Sequence, residues 1–339
     1  MKTRRFTLVQ VSVAPVTERN ILPENIFVVF NPAAQSGRLA GRELDVRSVL
    51  KQTIGRTKFV STTRKGHAKE MAASLPPSVQ MVVVIGGDGT VHEVASGLAE
   101  SNSPIGMAVI PMGSGNDFAR AIKMPTDWRR AIEELRTAKA IKVDLGRVKW
   151  KEEGVDFFDY FINALGVGFD AHCASLAPKF KGWPFGIGYT ASIIAGLRSW
   201  VSSGATVWDT SVWDTLREKK AIFSGRMMFS TIGNAQDSGG GYTVNPKALI
   251  SDGLLDACIV EDLSFLRALS ILPSARDGKH LSKKEVSYFQ VKSMLIDTDR
   301  GIPIHADGEV KTLQARTIEV TLLAEKITVF VPRSAPGQL

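Results

Sequence analysis

The sequence predicts a two-domain α/β protein. A doubly wound, mostly parallel α/β sheet comes first, and an antiparallel, β-sandwich-like domain follows. Three observations carry this prediction. Up to about residue 140, short apolar runs alternate with helical patterns, the order that builds parallel sheets. The clearest run, Val82-Val83-Val84-Ile85, has no polar alternation and reads as a strand covered on both faces. From about Ile141 helical patterns become rare, and strand-like stretches separated by turn residues take over. A chain of 339 residues suggests about two domains, and 44% hydrophobic with 22% charged residues supplies ample core.

Residues 1–24 read as an extension. Lys2, Arg4 and Arg5 precede Phe6 to Val16 much as in a signal peptide, but Gln10, Ser12 and Pro15 dilute the apolar run and no convincing cleavage site follows. Asn25 to Phe30 is the first strand, ending in Asn31-Pro32 and a small-residue loop before a helix over Leu39 to Ile54. Phe59 to Thr63 is the next strand, and Gly66 to Ala73 a helix. The central strand then drives into Gly86-Gly87-Asp88-Gly89-Thr90. Its glycines let backbone N–H groups turn toward an anion at close range. The helix beginning at Thr90 adds its positive end, which favours phosphate. A carboxylate inside such a cradle repels the ligand unless a cation lies between them, so Asp88 implies a divalent metal. As structure alone, the stretch is a tight strand-to-helix turn with a solvated Asp.

Ile105 to Ile110 repeats the design, ending in Pro111-Met112-Gly113-Ser114-Gly115-Asn116-Asp117-Phe118-Ala119-Arg120, with a helix from near Asp117. Two such strand ends would present two carboxylates and two amide clusters to one crevice at the carboxyl edge of the sheet, where open α/β folds bind ligands. No Walker-type Gly-Lys-Ser/Thr loop occurs, and Gly113-Ser114-Gly115 lacks the third glycine of a dinucleotide fingerprint.

GGDGT at 86–90 followed by PMGSGNDFAR at 111–120 resembles the nucleotide-binding half of the diacylglycerol kinase family, which includes bacterial lipid kinases and the sphingosine and ceramide kinases. GGDGT alone is shared with NAD kinases; the second motif points to the lipid kinases. The resemblance covers nearly all of the chain from Asn25 onward. It implies an ATP-binding domain over 25–140, completed by a returning segment at about 320–335, and a β-rich lipid-substrate domain over 141–319. Around the nucleotide it places Asn31, Pro32, Thr62, Gly86, Gly87, Asp88, Gly89, Thr90, Ser114, Asn116 and Asp117. Ser114 stands where the family often has Thr.

In the second domain, Lys142 to Lys149, Asp156 to Leu165 and Arg226 to Ile232 read as strands. Phe161 to Asp170 matches a family motif, though Asn163 and Asp170 on their own read as capping or turn residues. Pro178 to Ser202 is the most amphiphilic stretch: Lys179, Lys181 and Trp183 precede an apolar helix over Gly188 to Val201. It is either a lip that meets a bilayer or an ordinary helix packed on the domain. Val207-Trp208-Asp209-Thr210 recurs at 212–215, which suggests a hairpin with two exposed tryptophans. Near Gly239-Gly240-Gly241 and Ser251-Asp252-Gly253, the resemblance implies a Mg²⁺ held by the Asp252 carboxylate and the carbonyls of Leu249 and Leu254, an all-oxygen set that suits the ion. Without it, Asp252 is a turn residue. Late in the chain, Asp307-Gly308-Glu309 forms a tight acidic turn; the resemblance makes Glu309 the base that deprotonates a lipid hydroxyl, with Asp88 as its catalytic companion. Ile318 to Phe330 supplies closing strands, one of them returning to the first domain.

The net charge of +8 is scattered, with no basic stripe interleaved with aromatics, so nucleic acid is not the expected partner. Attraction to an anionic membrane surface, at about 1 kcal/mol per well-placed Lys or Arg, accounts for the excess, as does a merely basic soluble surface. Cys173 and Cys258 are too few for a disulfide framework or zinc site, and no run approaches a membrane span. The expected protein is a cytoplasmic, peripherally membrane-associated lipid kinase, with a homodimer allowed. It uses ATP and Mg²⁺ on a diacylglycerol-like alcohol in the cleft between domains. A sphingosine- or ceramide-type kinase, an NAD kinase and a non-catalytic lipid-binding protein are the alternatives.

Overall fold

Parallel pairing of buried apolar strands organises the first half of the chain. The computed structural model describes residues 23–152, 154–180, 188–211, 221–337 and 339. Strand β1 (Ile26–Phe30) is followed by α1 (Glu43–Ile54), β2 (Lys58–Ser61), α2 (His67–Ala73), β3 (Met81–Gly86), α3 (Asp88–Glu100), β4 (Gly106–Pro111) and the short helices α4 (Asp117–Ala121) and α5 (Trp128–Glu134). The strands lie in the order β2-β1-β3-β4, all parallel, and every residue of β1, β3 and β4 is buried. Their apolar side chains can therefore fill both faces of the sheet at once. Ile85 pairs with Phe30 and with Ile110, which brings the loops after β1, β3 and β4 out together at one edge.

The second half contains β5 (Lys139–Glu152), β6 (Val155–Phe161), β7 (Ala164–Gly168), α6 (Phe169–Leu176), α7 (Gly188–Ser199), β8 (Ser203–Asp209), β9 (Ala221–Gly233), β10 (Leu255–Glu261), α8 (Phe265–Arg276), β11 (Val286–Val291), β12 (Ser293–Ala306) and β13 (Glu309–Val331). Its pairings are antiparallel until β13 reaches β4, where Val329 and Phe330 run parallel to Met107 and Ala108. This 23-residue strand joins the two halves into one hydrogen-bonded sheet. Two apolar cores flank the join. One contains Val28, Val84 and Val329, the other Phe161, Leu165 and Ile304. A third, smaller cluster holds Phe169, Cys173, Ile193 and Met228 under α6 and α7.

Several expectations change. The stretch Asp156 to Leu165 is two strands, because the Ile162, Asn163 and Ala164 amides turn to donate to Asp307. The closing strands expected over Ile318 to Phe330 are parts of β13, continuous but for a register shift at Leu323/Ile327, where Glu325 has φ +49°. Helices are more frequent after Ile141 than the sequence suggests. Helix α8 forms despite Pro273, with Ser264 accepting from Arg267 N at its start and Ala268 and Ile271 turned inward. Helix α7 turns Ile193 inward and leaves Ile194 at 36% exposure. Lys181 and Trp183 lie outside the described residues, as do residues 1–22 and the second Val-Trp-Asp-Thr unit. The first unit ends β8, with Val207 buried and Trp208 half-buried. Among the described residues no helix is long and apolar enough to cross a membrane.

Phe161 is fully buried against Gly146, where its ring fills the place a side chain would take. Phe161→Ala is expected to lower unfolding free energy by about 3–5 kcal/mol in urea titrations without changing secondary structure. A loss below about 1 kcal/mol would mean the surrounding strands close the gap.

Candidate functional site

The strand ends of the first half are tied to one another before any ligand is considered. Asn31 follows β1, and its amide N–H bonds the Ile85 carbonyl of β3 at 2.9 Å. Its side chain donates to Thr90 Oγ1 at 2.8 Å and accepts from Ala33 N and Thr62 Oγ1. A single Asn thus links the ends of β1, β2 and β3. The two glycine loops touch backbone to backbone: a Cβ on Gly87 would lie 3.0 Å from Gly113 Cα, so side chains are excluded from this contact. A Cβ on Gly86 would lie 2.6 Å from Thr90 Oγ1.

A cavity of about 440 Å³ opens above these loops. Asn31, Pro32, Thr62, Gly87, Gly89, Thr90 and Ser114 line it, together with Glu309 from β13. Glu309 is so near the first loop that a Cβ on Gly89 would meet its Oε1 at 3.4 Å. The remaining expected residues sit behind this lining. Gly86 ends β3, and Asn116, at φ +56°, folds back to bond Gly113 N and O at 2.8 and 3.0 Å. Asp88 accepts from Phe118 N at 3.3 Å and so holds the start of α4. Asp117 pairs with Arg120 and accepts from Gly240 N at 3.0 Å, reaching the triple-glycine turn of the second half. The Asp88 and Asp117 carboxylates flank Gly115. Burial pushes the Asp88 carboxyl up; burial and then the charge of Asp88 push Asp117 up to about 6. Two carboxylates crowded in this way repel one another as anions, which raises their affinity for protons.

Glu309 is positioned from its own turn. Asp307, at φ +50°, accepts from Ile162, Asn163 and Ala164 N at 2.8–3.0 Å, and from His92 Nδ1 at 2.9 Å. Lys311 Nζ lies 2.7 Å from Asp159 and 3.3 Å from Glu309, while Lys65 approaches Glu309 to 3.1 Å from the other side. None of His92, Asp159 or Lys311 stands out in the sequence, nor does Glu93, which lines the cavity and accepts from Gly66 and Ala68 N. His92 is buried at 4% exposure on α3, with polar Ser96 one turn on and also buried.

The turn carrying Leu249, Asp252 and Leu254 stands apart from the Glu309 cavity. Leu249 lines a separate cavity of about 520 Å³ beside Arg120 and Asp237. Asp252 accepts from Leu254 N at 3.0 Å, and the neighbouring Asp144 accepts from Gly253 and Glu325 N. Burial, with the Asp144 charge close by, raises the Asp252 carboxyl. Among the described residues no cluster of three acidic, His or Cys side chains could hold a metal. The oxygens at this turn are those of the Asp252 and Asp144 carboxylates and of the main chain.

A third cavity, apolar and of about 110 Å³, lies in the β-rich half, walled by Phe169, Cys173, Ile193, Met228, Ile271 and Leu272. Asp170 in its wall bonds His305 Nε2 at 3.0 Å, and His305 Nδ1 accepts from Gly308 N at 3.1 Å. Because Nδ1 accepts, Nε2 carries the proton toward Asp170. His305 therefore connects the apolar cavity to the turn that presents Glu309.

Burial opposes charge on the His92 ring, but Asp159 and Asp307 outweigh it and hold the ring up to about 9, above the ordinary 6.5. A group raised on folding contributes stability that is complete below about pH 6.5 and lost as pH rises through about 9. Wild type is expected to lose on the order of 2–3 kcal/mol more than His92→Gln between those limits, read from urea midpoints. Parallel pH profiles would remove charge on His92 from the interface.

Two family models match in succession: "Diacylglycerol kinase catalytic domain" over residues 25–148 and "YegS C-terminal NAD kinase beta sandwich-like domain" over residues 163–331. A diacylglycerol kinase of Staphylococcus carnosus is 27% identical over 309 residues, covering 90% of this chain and 94% of that protein. The probable lipid kinase YegS-like of Yersinia enterocolitica is 30% identical over 308 residues, covering 88% and 95%. A crystal structure of a diacylglycerol kinase from Bacillus anthracis superposes with a TM-score of 0.67 at 19% identity, covering 92% of this chain and 98% of that one. With both halves matched in order and the glycine loops facing Glu309 across one cavity, the chain is a kinase belonging to the diacylglycerol kinase family.

Proposed function

We propose that this enzyme transfers the γ-phosphoryl group of ATP to the hydroxyl of a neutral lipid, diacylglycerol-like, in the cleft between an α/β unit of residues 25–140, closed by 320–335, and a β-rich unit of residues 141–319. The observation that carries the reading is the cavity shared by the glycine loops and Glu309. Phosphoryl transfer asks a protein mainly for positioning and charge neutralisation. The amides of Gly87 and Gly89, with Asn31, Pro32, Thr62, Thr90 and Ser114, hold the triphosphate; Gly86 and Asn116 fix the two loops. Lys65, at the cavity wall, supplies positive charge. A magnesium ion, when bound, offsets phosphate charge, and Asp88 and Asp117 are the carboxylates placed to balance it. Leu249, Asp252 and Leu254 would hold a second, structural ion that steadies their turn. Glu309 accepts the proton of the attacking alcohol, within about 3 Å once both substrates are bound. The apolar cavity under α7 and α8 receives the acyl portion, with His305 joining it to the Glu309 turn. The enzyme works on the cytoplasmic side, in peripheral contact with an anionic membrane.

Labelled ATP turnover against a panel of lipid alcohols and NAD tests the reading. Glu309→Gln and Asp88→Asn are expected to stay folded and lose at least about a hundredfold in rate, the lower range for a general base. Full turnover in Glu309→Gln removes it as base, and phosphorylation of NAD but no lipid reassigns the acceptor. Ala275→Leu narrows the apolar cavity and is expected to raise KM for a long-chain acceptor about tenfold, leaving KM for ATP unchanged.

A further inference from the structure

Strand β13 opens with Glu309 and Lys311 two residues apart, and residues so spaced in a strand share a face. On that face Lys311 Nζ meets Asp159 of β6 at 2.7 Å, His92 Nε2 of α3 at 3.2 Å and Glu309 Oε2 at 3.3 Å. Its side chain is only 14% exposed, so a stem that is flexible at the surface is fixed here by its surroundings. Burial alone would favour loss of the ammonium proton, but Asp159 and then Glu309 outweigh it and hold the group above its ordinary value. A stationary positive charge therefore stands beside Glu309.

The two oxygens of Glu309 are not equivalent. Lys311, and Lys65 at 3.1 Å, both approach Oε2. Among the described residues no hydrogen bond or ion pair reaches Oε1, and a Cβ on Gly89 would meet that oxygen at 3.4 Å. Oε1 is turned to the first glycine loop. Lys65 lies between β2 and α2, is 75% exposed and lines the cavity, so its contact is of the weak kind that a charged ligand can exchange. Lys311, anchored by Asp159, stays in place.

We propose that Lys311 is the positioning residue of the base: by holding Oε2 it aims Oε1 at the lipid hydroxyl beside the glycine loop. The proposal rests on the reading of Glu309 as base and adds the group that orients it. As the alcohol oxygen bonds the γ-phosphorus and the bond to ADP breaks, the alcohol proton passes to Oε1. The terminal torsion of a glutamate is broad, so an untethered carboxylate would present its oxygens at varying distance. Misplacement by about 1 Å costs on the order of a hundredfold in rate.

The test is steady-state kinetics of the full chain with ATP and a detergent-dispersed short-chain diacylglycerol. Lys311→Met is expected to lower kcat at least about tenfold and leave KM for ATP unchanged. Lys311→Arg, which keeps a donor for Oε2, should recover most of that loss. Lys311→Met joined to Asp159→Asn leaves no carboxylate without its cation, so it should be more stable than Lys311→Met in urea but turn over no faster. Were the Lys311–Asp159 pair only a tie between strands, kcat would recover with stability, and that recovery overturns the proposal. In the Glu309→Gln background, Lys311→Met should cost nothing further, because it acts through that carboxylate. A further loss there, or full kcat in Lys311→Met while Glu309→Gln is slow, also overturns the proposal and leaves the base standing. Full turnover in Glu309→Gln, or none by wild type on any lipid alcohol, sinks the base reading and takes the proposal with it.

Discussion

The site depends on the buried Asp307 carboxylate. It accepts from three consecutive amides between β6 and β7 and from the ring of His92 on α3. A carboxylate so buried is costly unless it is both hydrogen-bonded and opposed by positive charge, and here each requirement is met by a different part of the chain. The amides come from the β-rich half and the ring from the glycine-loop half. Satisfying one group therefore fixes the distance between the halves. Glu309, two residues later, inherits its position from that anchor.

The same geometry explains the charge pattern of the cleft. Lys65 and Lys311 converge on Glu309 from opposite sides, and Lys311 also neutralises Asp159. Meanwhile Asp88 and Asp117 crowd one another behind the glycine loops. Lys65, Glu93 and Glu309 thus share the cavity lining, while the Asp88 and Asp117 carboxylates lie behind it.

Much of this was legible in the residues. Val82 to Ile85 has to be buried on both faces, and the glycines after it make sense only where backbone meets backbone or ligand, as Gly87 and Gly113 do. Glu309 stood out because a short acidic turn between apolar strands needs a reason. The partners of these groups were not legible. Nothing local in Val-His-Glu marks His92 as a bridge to a residue 215 positions away, and Lys311 looks like any strand lysine until β6 brings Asp159 to it. Helix α8 is hard to see in the sequence because Pro273 stands inside it. Side chains fixed by distant pairings leave little trace in their immediate neighbours.

Strand β13 has a mechanical consequence. It passes through both apolar cores, pairing with β12 in one, with β4 in the other and with β5 in both. A backbone shared in this way leaves no flexible tether about which the lobes could swing as independent bodies. Heating that melts either core strips the shared strand from its neighbours in the other, which couples the two collapses into a single cooperative event.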